Sequence, residues 1–195
     1  MILGITGGTG CGKTTLLQLI RQRGGLVLDC DEIYHRLLEA DRQMLAAIKN
    51  RFPQAFPQDI LDRKALGKIV FADPAALEAL NEITHRAVRQ EVLRQLESSP
   101  PLAAIDAIGL FESGLDSLCD ITVAVAAPLE ARVARLMARD GISEDYARSR
   151  IAAQHSDGWF RERCGYLLEN DGTPEQFREK CLAFLRQSGI IAVQT

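Results

Sequence analysis

The sequence lacks the features that mark several large protein classes. Its apolar runs are far shorter than a membrane span, and no basic and apolar leader precedes the first predicted strand. Its formal net charge is −3, so it has no basic excess that would favour nucleic acid. These absences predict a cytoplasmic protein that binds neither a membrane nor nucleic acid.

Cysteine is present, but not in the pattern that a disulfide framework or a zinc site needs. The five cysteines are odd in number and scattered, and they form no C-x-x-C pair. They are Cys11, Cys30, Cys119, Cys164 and Cys181. With 47% apolar and 25% charged residues, the composition is ordinary for a globular protein. A chain of 195 residues can bury one good core, which predicts a single domain over residues 1–195.

The most informative segment is Gly7–Thr14, which we call the phosphate loop. It reads Gly-Gly-Thr-Gly-Cys-Gly-Lys-Thr and fits the pattern G-x-x-x-x-G-K-[ST] of loops that bind nucleotide phosphates. The apolar run Met1–Thr6 before it suits a buried strand. Thr15–Arg23 after it has the leucine and isoleucine spacing of a helix packed on a sheet. This strand–loop–helix context, which the motif requires, predicts binding of a nucleoside triphosphate.

The residue types of the loop match the chemistry of phosphate binding. Glycines allow a tight turn that points backbone N–H groups at an anion, next to a helix N-terminus. Lys13 can reach the β- and γ-phosphates, and the Thr14 hydroxyl can bind Mg²⁺. Cys11 lies beside Lys13 and the helix start, which would favour a thiolate, or it is simply a small residue that fits the loop. The predicted nucleotide-binding residues in this region are Gly8, Gly10, Cys11, Gly12, Lys13, Thr14 and Thr15.

Acidic residues follow two further predicted strands. The strand Leu26–Leu28 ends at Asp29 and Asp31, and the strand Leu102–Ile105 ends at Asp106. Ligands of open parallel sheets bind at the carboxyl ends of the strands, so these carboxylates are expected near the phosphates. Asp31, supported by Asp29, is the predicted general base, and Asp106 is the predicted ligand of Mg²⁺ or of its bound water. Each could instead cap a helix or form a turn, and one of Asp29 and Asp31 is expected to be a cap.

Residues 32–100 are predicted to form a mostly helical insertion between these two strands. Helical periodicity covers residues 32–50 and 60–97, and a proline-containing loop separates the two parts. Asp73 and Pro74 suit the N-cap and the first position of a helix. In a kinase with a phosphate loop, this insertion is where we expect the acceptor to bind.

Three arginines share one face of the helix predicted after the fourth strand. Arg132, Arg135 and Arg139 are spaced three and four residues apart, and a loop and a second helix follow them. Arginines offset charge on a phosphoryl group during its transfer, often from a segment that closes over the site. We therefore predict a lid at residues 139–155, with Arg139 as its catalytic arginine. The alternative is a solvated helix face.

Two more predicted strands complete the sheet. They cover Ile121–Ala126 and Cys164–Leu168, and a last helix then opens with Thr173 as N-cap and Pro174 after it. The tail Ile190–Val193 either adds an edge strand or frays. The expected fold class is α/β, a P-loop NTPase three-layer sandwich with a five-stranded parallel sheet, the helical acceptor-binding insertion and the lid.

Together these motifs resemble the dephospho-coenzyme A kinase family over nearly the whole chain. The matching segments are Gly4–Lys13, Asp29–Asp31, Leu61–Leu66, Ile69–Phe71, Leu80–His85, Arg135, Arg139, Gln154 and Asn170–Gly172. The resemblance implies ATP with Mg²⁺ as donor and the ribose 3′-hydroxyl of dephospho-coenzyme A as acceptor. It also implies that Asp31 is the base, that His85 lies near the acceptor and that Asn170 belongs to the nucleotide side.

The resulting hypothesis is a kinase, expected to be monomeric, with a small-molecule substrate. Asp31 accepts the proton of the 3′-hydroxyl, while Lys13 and Arg139 offset charge in the transition state. Thr14 and Asp106 are the predicted metal ligands. The predicted acceptor contacts are Asp31, His85, Asp106 and Glu112.

The chain departs from the family's pattern at three places. Arg86 follows His85 where the family has proline, the stretch Asp106–Glu112 lacks the family's proline, and Arg132 stands where the family tends to have Gln. Several of these changes fall where the family contacts its acceptor. Two alternatives therefore stay open: a related kinase acting on another nucleoside-like or small hydroxyl acceptor, and a nucleotide-binding regulator without turnover.

Overall fold

The computed structural model, which describes residues 1–98 and 100–191, contains a five-stranded sheet. The strands are β1 (Ile2–Thr6), β2 (Leu26–Asp29), β3 (Ala103–Asp106), β4 (Ile121–Ala126) and β5 (Tyr166–Glu169). Their order in the sheet is β2-β3-β1-β4-β5. β1 pairs in parallel with β3 and β4, and β4 pairs in parallel with β5. The predicted five-stranded parallel sheet is confirmed.

Nine α-helices and three short 3₁₀ turns occur in the described residues. The helices are α1 (Lys13–Arg21), α2 (Cys30–Ala40), α3 (Arg42–Arg51), α4 (Arg63–Ala72), α5 (Pro74–Leu96), α6 (Leu129–Asp140), α7 (Glu144–Ala152), α8 (Asp157–Arg163) and α9 (Pro174–Gln187). The 3₁₀ turns are Pro53–Ala55, Pro57–Asp59 and Leu115–Leu118. Among the described helices, none has both the length and the apolar character that a membrane span requires.

The chain forms two compact units. One consists of Met1–Leu28 with Ser99–Thr195, and the other is Asp29–Ser98. In the first unit, buried residues of α1 and α9 join β1 and β4 in one apolar core. In the second unit, α2, α3, α4 and α5 enclose a separate core that includes Ile48 and Phe52. This second unit covers the segment for which acceptor binding is predicted.

The side chains of β1 alternate between two buried faces of the sheet. Leu3 and Ile5 are fully buried in the core with α1 and α9. Gly4 points the other way, where an added Cβ would lie 2.8 Å from atoms of Leu110 and Cys119. Because both faces are covered, an all-apolar strand sequence is favoured over an alternating one. This packing places the end of β1, and hence the phosphate loop, at the edge of a buried core.

Aspartate and threonine side chains determine where several helices begin. The four aspartates Asp29, Asp41, Asp62 and Asp73 each accept hydrogen bonds from backbone N–H groups of the helix that follows. Asp73 and Pro74 therefore start α5 as predicted. Thr173 caps α9 as predicted, and Gln176 completes a reciprocal capping box with it.

Some predicted elements differ in their boundaries. The helical segment 32–50 is two helices, because Asp41 ends α2 and caps α3. The short helix α8 lacks a clear apolar period and is not predicted by the sequence. At the C-terminus, the N–H groups of Ile190 and Ile191 donate to the Leu185 carbonyl, which extends the end of α9. The remaining residues of the predicted edge strand lie outside the described residues.

Candidate functional site

The phosphate loop connects β1 to α1. Gly12 is the N-cap of α1 with a φ of 97°, a left-handed conformation that favours glycine, and it offers no side chain to cap the helix. The first N–H groups of a helix have no acceptor within the helix. The N-terminus of α1 therefore presents backbone donors, together with the helix dipole, to an anion at the loop.

Lys13 lies at the junction of the loop and β3. Its Nζ donates to the Gly7 carbonyl at 3.1 Å and lies 3.9 Å from Oδ1 of Asp106. The parallel register pairs Asp106 with Ile5, so the end of β3 lies level with the start of the loop. The Lys13 and Asp106 side chains are only 14% and 15% exposed. The structure thus brings together two of the predicted site residues.

Arg132 packs directly on the phosphate loop. This residue of α6 is buried, and its Nε donates to the Thr9 carbonyl at 2.9 Å. Its guanidinium covers Gly8 so closely that a Cβ at Gly8 would collide with it. Nη2 of Arg132 donates to Oε1 of Gln154 at 3.2 Å, and the same oxygen accepts the Thr9 N–H at 2.8 Å. Arg132 is therefore not on a solvated helix face.

Arg135 and Asn170 hold the second half of the loop. Arg135 donates to the Gly10 carbonyl at 3.1 Å, and the side-chain amide of Asn170 donates to the Cys11 carbonyl at 2.9 Å. Asn170 itself is buried at the end of β5. Its predicted place on the nucleotide side thus coincides with a contact to the loop backbone.

Cys11 is a packed residue of the loop. Its side chain is 1% exposed, and burial raises the pKa of the thiol above its usual value, against smaller opposing effects of Lys13 and Arg132. The expectation that its position favours a thiolate is therefore wrong, because desolvation outweighs the nearby positive charge. The alternative expectation, a small residue that fits the loop, agrees with this packing.

The residues around the loop fit a nucleotide with Mg²⁺. Thr14 is exposed in the first turn of α1, and Asp106 ends β3. A hydroxyl and a carboxylate are hard oxygen donors of the kind that Mg²⁺ prefers, and Mg²⁺ usually takes its other ligands from phosphates and water. In the described part of the chain, no group of three or more His, Cys, Asp and Glu residues could hold a metal by itself. The arrangement suits a metal that arrives with a nucleotide.

Glu112 is part of a small aromatic cluster. Its Oε1 lies 2.6 Å from Nε2 of His155, and the His155 ring stacks on Trp159 with centroids 3.8 Å apart. Phe111 meets Trp159 edge to face, and Arg163 lies 4.2 Å above the Trp159 ring. Sequence reasoning identified Glu112 but missed its partners, which lie on α8 and on the connection before it.

Arg139 lies at the exposed corner between α6 and α7. It forms two hydrogen bonds to Asp140, and Asp140 also accepts from Arg150 at 2.7 Å. These arginines hold the pKa of Asp140 down at about 2. Nearby, Arg148 bridges Glu130 and Glu144. The helix–loop–helix predicted for the lid is present, but Arg132 and Arg135, rather than Arg139, contact the phosphate loop.

The remaining predicted residues lie in the unit Asp29–Ser98. Asp29 caps α2 by accepting the N–H groups of Asp31 and Glu32, so the carboxylate of Asp31 is not the cap. His85 is half-buried on α5. The next residue, Arg86, lines a cleft of about 450 Å³ in the same unit, together with residues that include Asp41 and Glu82. The residue at which the chain departs from the family's His-Pro pair thus lines a cleft.

Comparisons with known proteins identify the family. The family described as dephospho-CoA kinase matches residues 1–176. A dephospho-CoA kinase of Anaeromyxobacter dehalogenans is 40% identical over 92% of this chain and 88% of that protein. The crystal structure of TT1252 from Thermus thermophilus has a TM-score of 0.84 and 37% identity, with 96% of this chain and 97% of that chain covered.

A more distant structure, a dephospho-CoA kinase from Campylobacter jejuni, has a TM-score of 0.67 at 23% identity and covers 97% of this chain and 98% of that chain. At this identity the likeness concerns the fold alone. The family matches most of the sequence, and its named relatives match nearly the whole chain. Both findings indicate the same family. The chain belongs to the dephospho-CoA kinase family.

Proposed function

We propose that this protein transfers the γ-phosphate of ATP to the ribose 3′-hydroxyl of dephospho-coenzyme A. The observation that carries the proposal is the complete phosphate loop at the uncapped N-terminus of α1, with Lys13 close to Asp106, in a chain of this family. A loop of this kind binds phosphates by its backbone donors, and its lysine supplies a positive charge.

The nucleotide contacts follow from the loop. Backbone N–H groups at the start of α1 bind the phosphates, and Lys13 moves from the Gly7 carbonyl to the β- and γ-phosphates. Thr14 and Asp106 would hold Mg²⁺, which supplies neutralisation of the phosphate oxygens when it is bound. Arg139 is the proposed lid arginine, and using it requires release of its contacts with Asp140.

The proposed base is Asp31. Asp29 already serves as the cap of α2, and Asp31 is exposed in the first turn of that helix. A carboxylate in this role accepts the proton of the attacking hydroxyl and orients its oxygen. His85 and Glu112 are the other proposed acceptor contacts.

The test of the function is acceptor-dependent ADP release. Purified protein with ATP and Mg²⁺ is assayed with and without dephospho-coenzyme A, and the product is identified by its mass. A product heavier by one phosphoryl group supports the proposal. Acceptor-independent ATP hydrolysis alone would instead point to another hydroxyl acceptor, to be sought among nucleosides and small alcohols. Binding of ATP with no ADP from any acceptor would point to a regulator without turnover.

The test of the base is Asp31→Asn. We expect a loss of turnover of at least about 100-fold, because a general base contributes on this scale, with ATP affinity changed by less than about twofold. Glu32→Gln is the matched control, since it removes one exposed charge from the same turn of α2. Unchanged turnover in Asp31→Asn would contradict the assignment.

A further inference from the structure

The contact between Arg132 and the phosphate loop suggests a residue that sets the affinity for ATP. The Arg132 side chain is 7% exposed, and its hydrogen bonds run to neutral oxygens, those of Thr9 and Gln154. Its ion-pair partner Asp157 lies 3.9 Å away and is 44% exposed. Burial of a cation with mainly neutral acceptors is costly unless nearby negative charge compensates it.

This arrangement holds the two peptide groups on either side of Thr9. Arg132 donates to the Thr9 carbonyl, Gln154 accepts the Thr9 N–H, and Arg132 donates to Gln154 in turn. We call this closed set of hydrogen bonds the Thr9 clamp. It fixes the orientation of two successive peptide groups in the middle of a glycine-rich loop that would otherwise have several backbone conformations.

The clamp also brings charge to the loop. The Arg132 guanidinium covers Gly8, and its positive charge acts on Cys11, where it opposes the effect of burial on the thiol. A charge in a poorly solvated place acts more strongly than one in water. Triphosphate bound at the loop would therefore gain from Arg132 without a direct contact.

The clamp joins the loop to two other elements. Arg132 lies on α6, and Gln154 follows the end of α7, so both flanks of the α6–α7 corner meet at Thr9. A change in the position of α7 would alter the hydrogen bond to the Thr9 N–H. The clamp thus gives the proposed lid a direct connection to the phosphate loop.

We infer that Arg132 is a positioning residue for ATP, which acts through the Thr9 clamp by fixing the phosphate loop and by adding buried positive charge beside it. The inference deepens the proposed function and rests on it only in taking ATP as the ligand. ATP affinity is measured without any acceptor. The inference about Arg132 can therefore fail while the kinase assignment stands, and the kinase assignment can fail while the inference about Arg132 stands.

The first experiment is calorimetric titration of ATP into the protein and its Arg132 variants. Arg132→Met, which lacks both charge and donors, should weaken ATP binding by about 10-fold or more, as expected for loss of charge-assisted hydrogen bonds. Arg132→Lys keeps the charge but loses the forked geometry of the guanidinium. Its affinity for ATP should therefore lie between those of the wild type and Arg132→Met. The matched control is Arg161→Met, which removes an exposed arginine of α8 paired with Glu169. Equal ATP affinity in folded Arg132→Met and in Arg161→Met would overturn the inference.

A double-mutant cycle separates this effect from damage to the fold. An added Cβ at Gly8 would collide with the Arg132 guanidinium, so we expect Gly8→Ala to displace this group from the loop without removing its charge. If the clamp acts as inferred, Gly8→Ala weakens ATP binding strongly in the Arg132 protein and much less in Arg132→Met. Additive effects of the two changes would contradict the inference.

Gln154→Ala provides the same test if Arg132→Met does not fold. Gln154 is only partly buried, and this change removes the acceptor of the Thr9 N–H while Arg132 stays in place. We expect ATP affinity to fall by a factor of about 3 to 10, as for loss of a hydrogen bond that orients the loop. An unchanged affinity would show that the clamp does not position ATP.

Discussion

The two ends of helix α6 use arginine in opposite ways. At its first turns, Arg132 is almost fully buried and donates to a backbone carbonyl of the phosphate loop. Two turns later, Arg139 is 60% exposed and pairs with the carboxylate of Asp140. The residue type and the helix are the same, and only the surroundings differ.

This difference decides what each residue can contribute. A buried donor that serves a backbone carbonyl leaves that carbonyl unsatisfied when it is removed. An exposed ion pair is screened by water and salt, and its loss has a small effect. The phosphate-loop end of α6 is therefore expected to respond strongly to substitution, and the corner between α6 and α7 weakly.

The largest expected effect comes from the phosphate-loop region itself. Lys13→Ala removes a cation that lies near Asp106 and that is expected to bind the phosphates. Turnover should fall by about 100-fold or more, as for loss of a group that stabilises transition-state charge. Steady-state ADP release gives the rate.

The control for Lys13 is a lysine of α9. Lys180 donates to the Glu169 carbonyl and to Asp171 on an exposed surface, so Lys180→Ala should retain turnover within about twofold. Similar losses of turnover in Lys13→Ala and Lys180→Ala would contradict a specific role of Lys13, because a general effect on charge or folding would then explain both.

A smaller effect is expected from Asn170→Ala. The lost amide donates to the buried Cys11 carbonyl, whose other side-chain donor among the described residues, Arg135, lies 3.4 Å away. We expect the free energy of unfolding to fall by about 1–2 kcal/mol, measured by urea denaturation. Asn50→Ala, on an exposed turn of α3, is the control and should change stability by less than about 0.5 kcal/mol. Equal changes in both would contradict the supporting role of Asn170.

The smallest expected effect is the change in stability caused by Asp140→Asn, at the exposed corner between α6 and α7. This effect depends on pH. The pKa of Asp140 in the folded protein is about 2, below its usual 3.8, chiefly because of the hydrogen bonds from Arg139. A depressed carboxyl pKa stabilises the fold above the usual value, and this stabilisation is lost as the pH falls towards 2. Asp140→Asn should therefore be slightly less stable than the wild type at pH 5, with a smaller difference at pH 3.

The measurement is urea denaturation at both pH values. Asp145→Asn removes the same charge from the first turn of α7 and controls for the change in net charge. A stability difference between Asp140→Asn and the wild type that grows as the pH falls would contradict the assignment, because the sign of the linkage would then be reversed.

Local patterns predicted much of the fold. The apolar run before Gly7 and the leucine spacing after Thr14 gave β1 and α1, and the positions of Asp73 and Thr173 gave the starts of α5 and α9. These features depend on residues a few positions apart, so sequence alone is sufficient to find them. Asp41 was not recognised as a break, because its carboxylate ends one helix and caps the next within a periodic segment.

The site was predicted less completely than the fold. The spacing of Arg132, Arg135 and Arg139 indicated a shared helix face, but not which of them would meet the phosphate loop. His155 and Trp159 gave no signal, since His155 contacts Glu112 from a segment more than 40 residues away and Trp159 stacks on His155. Such partners are found only when the chain has folded.

The sequence by itself determined that this chain contains a phosphate loop between a strand and a helix, with acids at the ends of other strands. Those features follow from local backbone preferences and from the chemistry of single residue types. The tertiary structure alone decided that Arg132 is buried against Gly8 while Arg139 is exposed, that Asn170 donates to Cys11, and that burial raises the pKa of the Cys11 thiol. Burial and charge at each of these positions depend on which distant segment packs there, and that is a property of the fold.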